Sequence, residues 1–236
     1  MLFYFLTCQR AKGLSVISTI DTAGSTVALS SKIKLLRVTL DGNLNFNDQV
    51  KNVCRASFFH IRALHHIRPS LTDEMVNVVD CTLVQSRVDY ANSLYTGISS
   101  VNFDKLQLVQ NTLAHVVTLI RKRDHIQPSL KRLHWLPIRQ LVDFKVALLT
   151  YSIRYSGEPQ HLNSLLMDYK PTRSLRSAEE HLLIVPRTKL SFASRSFSVA
   201  APKLWNNLPL DIRNSKTMSI FRKLLKTYLY KQAYEH

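Results

Sequence analysis

Phe46, Val50, Val53, Ser57, Ile61 and Leu64 recur at helical spacing. At about 100° per residue they share one arc of roughly 80°. This stripe predicts an amphipathic helix over 46–67, with Asn45 as N-cap and Asp48 placed to complement the orphan N–H groups. Pro69 closes it. A second helix starts at a Thr72 cap, has Asp73 and Glu74 in its first turn, and buries Met75, Val78, Val79, Thr82 and Ser86. A third starts after Asn102 and buries Leu106, Val109, Leu113, Val116, Val117 and Ile120. Three such helices can close a common core as a bundle.

The flanks read differently. Residues 26–40 hold two short β-branched and Leu-rich runs around Ser30, Ser31 and Lys32, which predicts a small hairpin ended by a turn at Asp41 and Gly42. Downstream, a short helical piece covers Ser129–Trp135. A long helix runs from Ile138 to Tyr155 and stops at Gly157. Residues 171–216 are richer in Pro, Ser and Arg, with β-like runs at Leu182–Val185 and Ser196–Ala200. Thr217 caps a last helix over 218–233.

Charge narrows the partner. The 236 residues carry 32 Lys+Arg against 16 Asp+Glu, a formal +16. Residues 1–100 account for +3 and residues 101–236 for +13. Such a surplus repels itself, so an acidic polymer is its default explanation. Apolar residues at 45% exclude general disorder. The longest apolar run, Met1–Cys8, falls far short of the roughly 20 residues a membrane span needs. It lacks a basic leader and a cleavage site, so it does not read as a signal peptide. Its abruptness instead suggests a chain that starts in the middle of a fold. Cys8, Cys54 and Cys81 form no CxxC pair and read as thiols in a reducing compartment.

Catalytic motifs are absent. The aspartates are scattered singly, with no Asp-Asp pair to converge on metal ions. Neither Gly-rich phosphate loop fits, nor does a GxSxG elbow. Cys54, His60, His65 and His66 invite a zinc reading, but His60 lies about 120° around the axis from Cys54, where four convergent ligands are wanted.

Two basic features remain. On the first helix, Lys51, Arg55, Arg62 and His66 lie within about 60° of each other, away from the apolar stripe, flanked by Phe58 and Phe59. Cations with aromatic surface beside them have the composition of a nucleic-acid-tracking face, and equally of a solvated face with Phe58 packed on a neighbour. The last helix sets Phe221, Leu224, Leu225 and Tyr228 against Lys216, Arg222, Lys223 and Lys226. Nucleic acid, an anionic membrane surface, an acidic partner or plain docking are all open for it. Trp135 and Trp205, each just before a Pro-marked turn, read as core anchors.

Several segments together resemble the carboxy-terminal part of a reverse transcriptase of non-LTR retrotransposons, the jockey-like and related long interspersed elements. They are KIKLLRVTLDGNLNFNDQV, HIRALHHIRPSLT, SRVDYANSLYTG, NFDKLQLVQNTLA, LHWLPIRQLVDFKVALLTY, YKPTRSLRS, VPRTKLSFASRSFSVAAPKLWNNLP and FRKLLKTYL. The resemblance covers nearly the whole chain from about residue 15. It implies that the hairpin at residues 33–40, with Leu36, Arg37 and Val38, helps place a primer end. It implies that the helices after it form a thumb gripping the template–product duplex, and that the remainder is a carboxy-terminal extension that assists template handling. The family's Ala-Asp-Asp motif is missing, and Arg37 stands where the family usually has Gly. The apolar start at Met1 then reads as a cut or recruited edge of the palm.

The expected fold is mainly α: a palm remnant with its β-hairpin over 1–44, a three-helix thumb-like bundle over 45–125, and a basic α+β carboxy-terminal extension over 126–236. The expected function is non-catalytic, sequence-nonspecific binding of an RNA–DNA or DNA duplex. The residues expected to carry it are Lys51, Arg55, Arg62, Arg121, Lys122, Arg123, Arg222, Lys223 and Lys226. No catalytic residue, resident metal or cofactor is expected, although the parent polymerase would use Mg2+. No membrane is expected as partner, and the compartment is intracellular, nucleus or cytoplasm. A domesticated helical module that binds a protein, and a non-functional translated remnant of a mobile element, are the alternatives.

Overall fold

The computed structural model describes residues 19–22, 25–28, 30–121, 123–169, 180–190 and 193–235. The expectations for Met1–Cys8, the Lys122 side chain and most of YKPTRSLRS lie outside them. The described chain is mainly helical, with two small two-stranded antiparallel sheets.

β1 (Thr19–Thr22) pairs with β2 (Ser25–Ala28), and β3 (Lys32–Leu35) with β4 (Val38–Asp41). The reversal expected around Ser30–Lys32 lies instead at Leu36 and Arg37; Ser30 and Ser31 only join the two hairpins. Leu36 and Arg37 have φ of 47° and 65°. Two left-handed residues in a two-residue loop match the right-handed twist of the flanking strands. Beyond β4, Asp41 organises the turn. Its carboxylate accepts the backbone N–H groups of Asn43, Asn45 and Phe46 at 3.1, 3.0 and 2.9 Å.

α1 (Asn47–Ile67) follows, with Val50, Ser57, Ile61 and Leu64 buried as their spacing predicts. The Asn45 cap is corrected. Phe46 occupies the N-cap position in a left-handed conformation with no side-chain cap, because Asp41 has already bonded the two N–H groups leading into the helix. Asp48 does stand in the first turn and pairs with Lys32 at 2.7 Å, while Gln49 Oε1 accepts Thr39 N–H at 2.8 Å. Both contacts tie β3 and β4 to α1.

Thr72 caps α2 (Asp73–Asp80), its Oγ1 accepting Met75 N–H at 3.3 Å. Of the buried face expected here, only Val79 packs against the core. Met75 and Val78 are exposed, as are Thr82 and Ser86; Val76, Asp80, Val84 and Val88 face the core instead. The chain continues from α2 through a π-helical turn (Cys81–Gln85) into α3 (Ser86–Asp89). A strict four-residue repeat drifts by about 40° per step on an α-helix, and a wider turn takes up that drift. Thr82 and Ser86 bond back to the carbonyls of Val78 and Thr82 at 2.8 and 2.5 Å.

α4 (Ser100–Thr118) starts three residues earlier than expected, because Ser99 caps it by accepting Asn102 N–H. Asn102 is buried and donates to Asn47 Oδ1 at 2.8 Å, holding the start of α1. Ile120 falls beyond the helix, which ends at a left-handed Leu119. α1, α2 and α4 share one core with Val38, Phe46, Tyr95 and Phe103.

α5 (Gln127–Arg132) leads to α6 (Ile138–Ser156), closed by left-handed Gly157 as predicted. α6 is buried on two faces. Ile138 and Val142 enter the first core; Phe144, Ala147 and Tyr151 enter a second with Leu183, Trp205, Phe221, Leu225 and Leu229. α7 (Gln160–Asn163) follows, and Leu182–Val185 then runs extended, forming among the described residues an isolated bridge from Asp168 to Leu183. Ser196–Ala200, read as β-like, is instead the cap and first turn of α8 (Phe197–Asn206), where Val199 and Pro202 bury at i, i+3 and Ala201 and Trp205 at i, i+4 spacing. α9 (Leu210–Arg213) precedes α10 (Met218–Tyr234), which Thr217 caps as expected. Leu224 lies outside the stripe of α10, which is completed by Leu229. Arg195 reaches back to the hairpin–helix junction, donating to the carbonyls of Leu44 and Asn43.

Candidate nucleic-acid interface

A phosphate-tracking surface needs cations that are held in place and not already neutralised. α1 supplies such a row. Its buried stripe fixes the rotation of the helix, so Lys51, Arg55 and Arg62 stand exposed on the opposite side. None has an acidic partner among the described residues, where the ion pairs are Lys32–Asp48, Arg68–Asp73 and Arg154–Asp168. Phe59 is 69% exposed beside this row, and its ring meets His60 edge-on at 5.3 Å. Phe58 is half-buried against the first core.

The other predicted cations sit on separate elements. Arg121 and Arg123 are exposed in the link between α4 and α5, where Asp124 caps the Arg121 N–H at 3.0 Å. On α10, Arg222, Lys223 and Lys226 are all exposed, but they do not act as one group. Arg222 and Lys226 border a cleft with Lys145 of α6; Lys223 lies outside it. At the hairpin, Leu36 is 77% exposed and Arg37 is exposed, whereas Val38 is a core residue. Tyr90 Oη donates to the Leu36 carbonyl at 2.7 Å and fixes the tip against the bundle.

The zinc constellation does not assemble. Among the described residues no three His, Cys, Asp or Glu side chains group to hold a metal ion. The Mg2+ of a polymerase therefore has no described donor set here, and no chemistry is routed through it. Cys54 is half-buried, and burial pushes its thiol pKa up against the pull of Lys105. Among the described residues no helix is long and apolar enough to cross a membrane.

Of the two tryptophans, Trp205 is the core anchor expected. It is 2% exposed and donates from Nε1 to the His181 carbonyl at 2.9 Å, with the Arg154 guanidinium 5.4 Å from its ring centre. Trp135 is half-buried, packs against the first core and also forms part of the wall of the α6–α10 cleft. Sequence reasoning missed that cleft and Lys145 with it.

Compared with family models, curated proteins and solved structures, the chain matches none.

Proposed function

We propose that this chain is a non-catalytic piece of a non-LTR retrotransposon reverse transcriptase: the end of the palm, the thumb and the carboxy-terminal extension. It acts inside the cell, in nucleus or cytoplasm, as a sequence-nonspecific binder of nucleic-acid duplex. The observation that carries the binding is the row Lys51, Arg55 and Arg62. It is exposed, unpaired among the described residues, and fixed by the buried stripe on the other side of α1. The family origin rests on the sequence resemblance; a hairpin docked on a helical bundle is the arrangement it implies. No polymerisation is expected, since the sequence has no Asp-Asp pair.

Fluorescence anisotropy with a labelled RNA–DNA hybrid and a labelled DNA duplex, across a salt series, tests this reading. Binding should weaken linearly in log–log form as phosphates recover their counterions. Salt-independent affinity, or no binding at low salt, overturns it.

A second reading is favoured by apolar surface on α2, where Val78 and Met75 are 64% and 54% exposed, and at the hairpin, where Leu36 is 77% exposed. In that reading the chain is a domesticated module whose palm-facing side binds a protein. Failure of every nucleic-acid arm together with self-association in sedimentation would move the balance to it.

A further inference from the structure

The cleft between α6 and α10 has a chemistry of its own. It encloses about 380 Å3, within the usual range for a small-molecule site. Lys145 lines it from α6 and Arg222 and Lys226 from α10; Trp135, Leu136, Leu141 and Phe144 supply apolar surface; Asp89 and Gln85 add hydrogen-bond acceptors. We propose that this cleft is a nucleotide monophosphate site: Lys145, Arg222 and Lys226 take the phosphate, Trp135 offers an aromatic face to the base, and Asp89 and Gln85 meet base amino or sugar hydroxyl groups.

Three observations select this ligand. First, three cations face one carboxylate, leaving a surplus that suits a phosphate monoester dianion rather than a neutral metabolite. Burial raises the Asp89 pKa and Lys145 opposes that rise, so the two groups sense each other. Second, the cations come from two helices whose relative position is set by the second core. Phe144 and Leu225 are both buried in it, so the wall is built and not a chance meeting of surface side chains. Third, Trp135 is held by its backbone. Its N–H donates to the Leu130 carbonyl and its own carbonyl accepts Tyr234 Oη at 2.8 Å, which links it to the end of α10.

The inference shares Arg222 and Lys226 with the duplex reading but does not depend on it. A free nucleotide and the phosphorylated end of a strand present the same chemistry to the cleft.

The chain has two tryptophans, and Trp205 lies in the core, so quenching by an added nucleotide reports on Trp135. The full chain is titrated with AMP, with adenosine and with inorganic phosphate, by tryptophan emission and by calorimetry. AMP should bind and quench. Adenosine, which lacks the phosphate, and phosphate, which lacks the base, should each bind at least about tenfold more weakly. Arg222→Ala and Lys145→Ala should each weaken AMP about tenfold, with helical circular dichroism retained. Trp135→Phe should remove the quench and leave a calorimetric signal. Competition by a 5′-phosphorylated single strand, but not by its unphosphorylated form, assigns the site to strand ends; competition by neither assigns it to free nucleotide. No quench at millimolar AMP, or inorganic phosphate binding as tightly as AMP, overturns the proposal. Loss of AMP binding with duplex binding intact defeats this inference alone; the reverse defeats only the duplex reading.

Discussion

Arg68 donates from both Nε and Nη2 to the main-chain carbonyl of Val117, at 3.2 and 3.0 Å. The same guanidinium bonds the Leu71 carbonyl at 3.0 Å and Asp73 Oδ1 at 2.6 Å. Arg68 follows the last residue of α1, Val117 lies in the last turn of α4, and Asp73 opens α2. One buried side chain thus fixes three helix ends. It also satisfies a carbonyl that the end of α4 would leave without an intrahelical partner.

Arg68→Ala should therefore unfold the bundle more than any exposed cation does. The buried carbonyls lose their donor and a cavity opens, a cost of about 2–4 kcal/mol. Arg68→Lys keeps the charge but not the planar fork, and should fall between. Urea denaturation followed by circular dichroism checks both. A loss under about 0.5 kcal/mol, as at an ordinary surface position, would contradict the role assigned to Arg68.

Ser57 presents the opposite case. It lies on the buried stripe of α1, and its Oγ is buried with no hydrogen-bond partner. Ser57→Ala removes that unsatisfied group and favours the helix, so it should stabilise the fold by about 1 kcal/mol. A higher midpoint in the same denaturation series is the expected reading.

Arg37 sits at φ 65° in the hairpin loop, a conformation in which a side chain costs energy that glycine avoids. Arg37→Gly should raise stability by about 1 kcal/mol after the added freedom of the unfolded chain is subtracted. For a chain of this size that is a rise of about 2–4 °C in Tm, read by calorimetry. The Arg37 side chain would then be tolerated by the loop at a cost in stability, with its exposed position avoiding any clash.

Asp143 gives a pH dependence. Burial raises its pKa to about 6, against the opposing pull of Arg139. An acid whose folded pKa is raised holds its proton longer in the folded state than in the unfolded one. Stability from this group is full below the unfolded value near 4 and is lost as pH rises through about 6. Asp143→Asn should remove that loss, flattening the stability curve between about pH 4 and 6 and stabilising the protein at pH 7 by on the order of 2 kcal/mol. A urea midpoint that falls between pH 4 and 6 as much in the variant as in the parent would contradict it.

Most of what was legible in the sequence is local. The stripe of α1, the Gly157 stop of α6 and the Thr72 and Thr217 caps each depend on residues a few positions apart. The errors arise where distant groups decide. Asp41 displaced Asn45 as the device at the start of α1 from outside the helix. The π turn at Cys81–Gln85 changes the phase for Thr82 and Ser86, which an assumed period of 3.6 hides, whereas Met75 and Val78 precede it and are exposed because Val76 and Asp80 meet the core. The candidate site divides likewise. The Lys51, Arg55 and Arg62 row is a property of one helix and was visible in its spacing. The union of Lys145 with Arg222 and Lys226 depends on how α6 meets α10, 77 residues further along from Lys145 to Arg222, and no local pattern encodes it.

That difference predicts separate behaviour for the two basic surfaces on nucleic acid. The α1 row is exposed and presents point charges at helical intervals, so its contribution to duplex binding should be electrostatic and nearly independent of sequence. Neutralising all three residues with Lys51→Gln, Arg55→Gln and Arg62→Gln removes up to three phosphate contacts. The slope of log affinity against log salt should then fall in magnitude by about 2–3. Stability should change little, since none of the three is in an ion pair among the described residues. Phe59→Ala, beside the row, should leave that slope unchanged, because a neutral ring releases no counterion; its effect should appear on single strands, where stacking on an exposed aromatic is worth about 1–3 kcal/mol per base. A slope that survives the triple substitution would place the phosphate contacts elsewhere, on the Arg121 and Arg123 link or on α10, and would remove α1 from the interface.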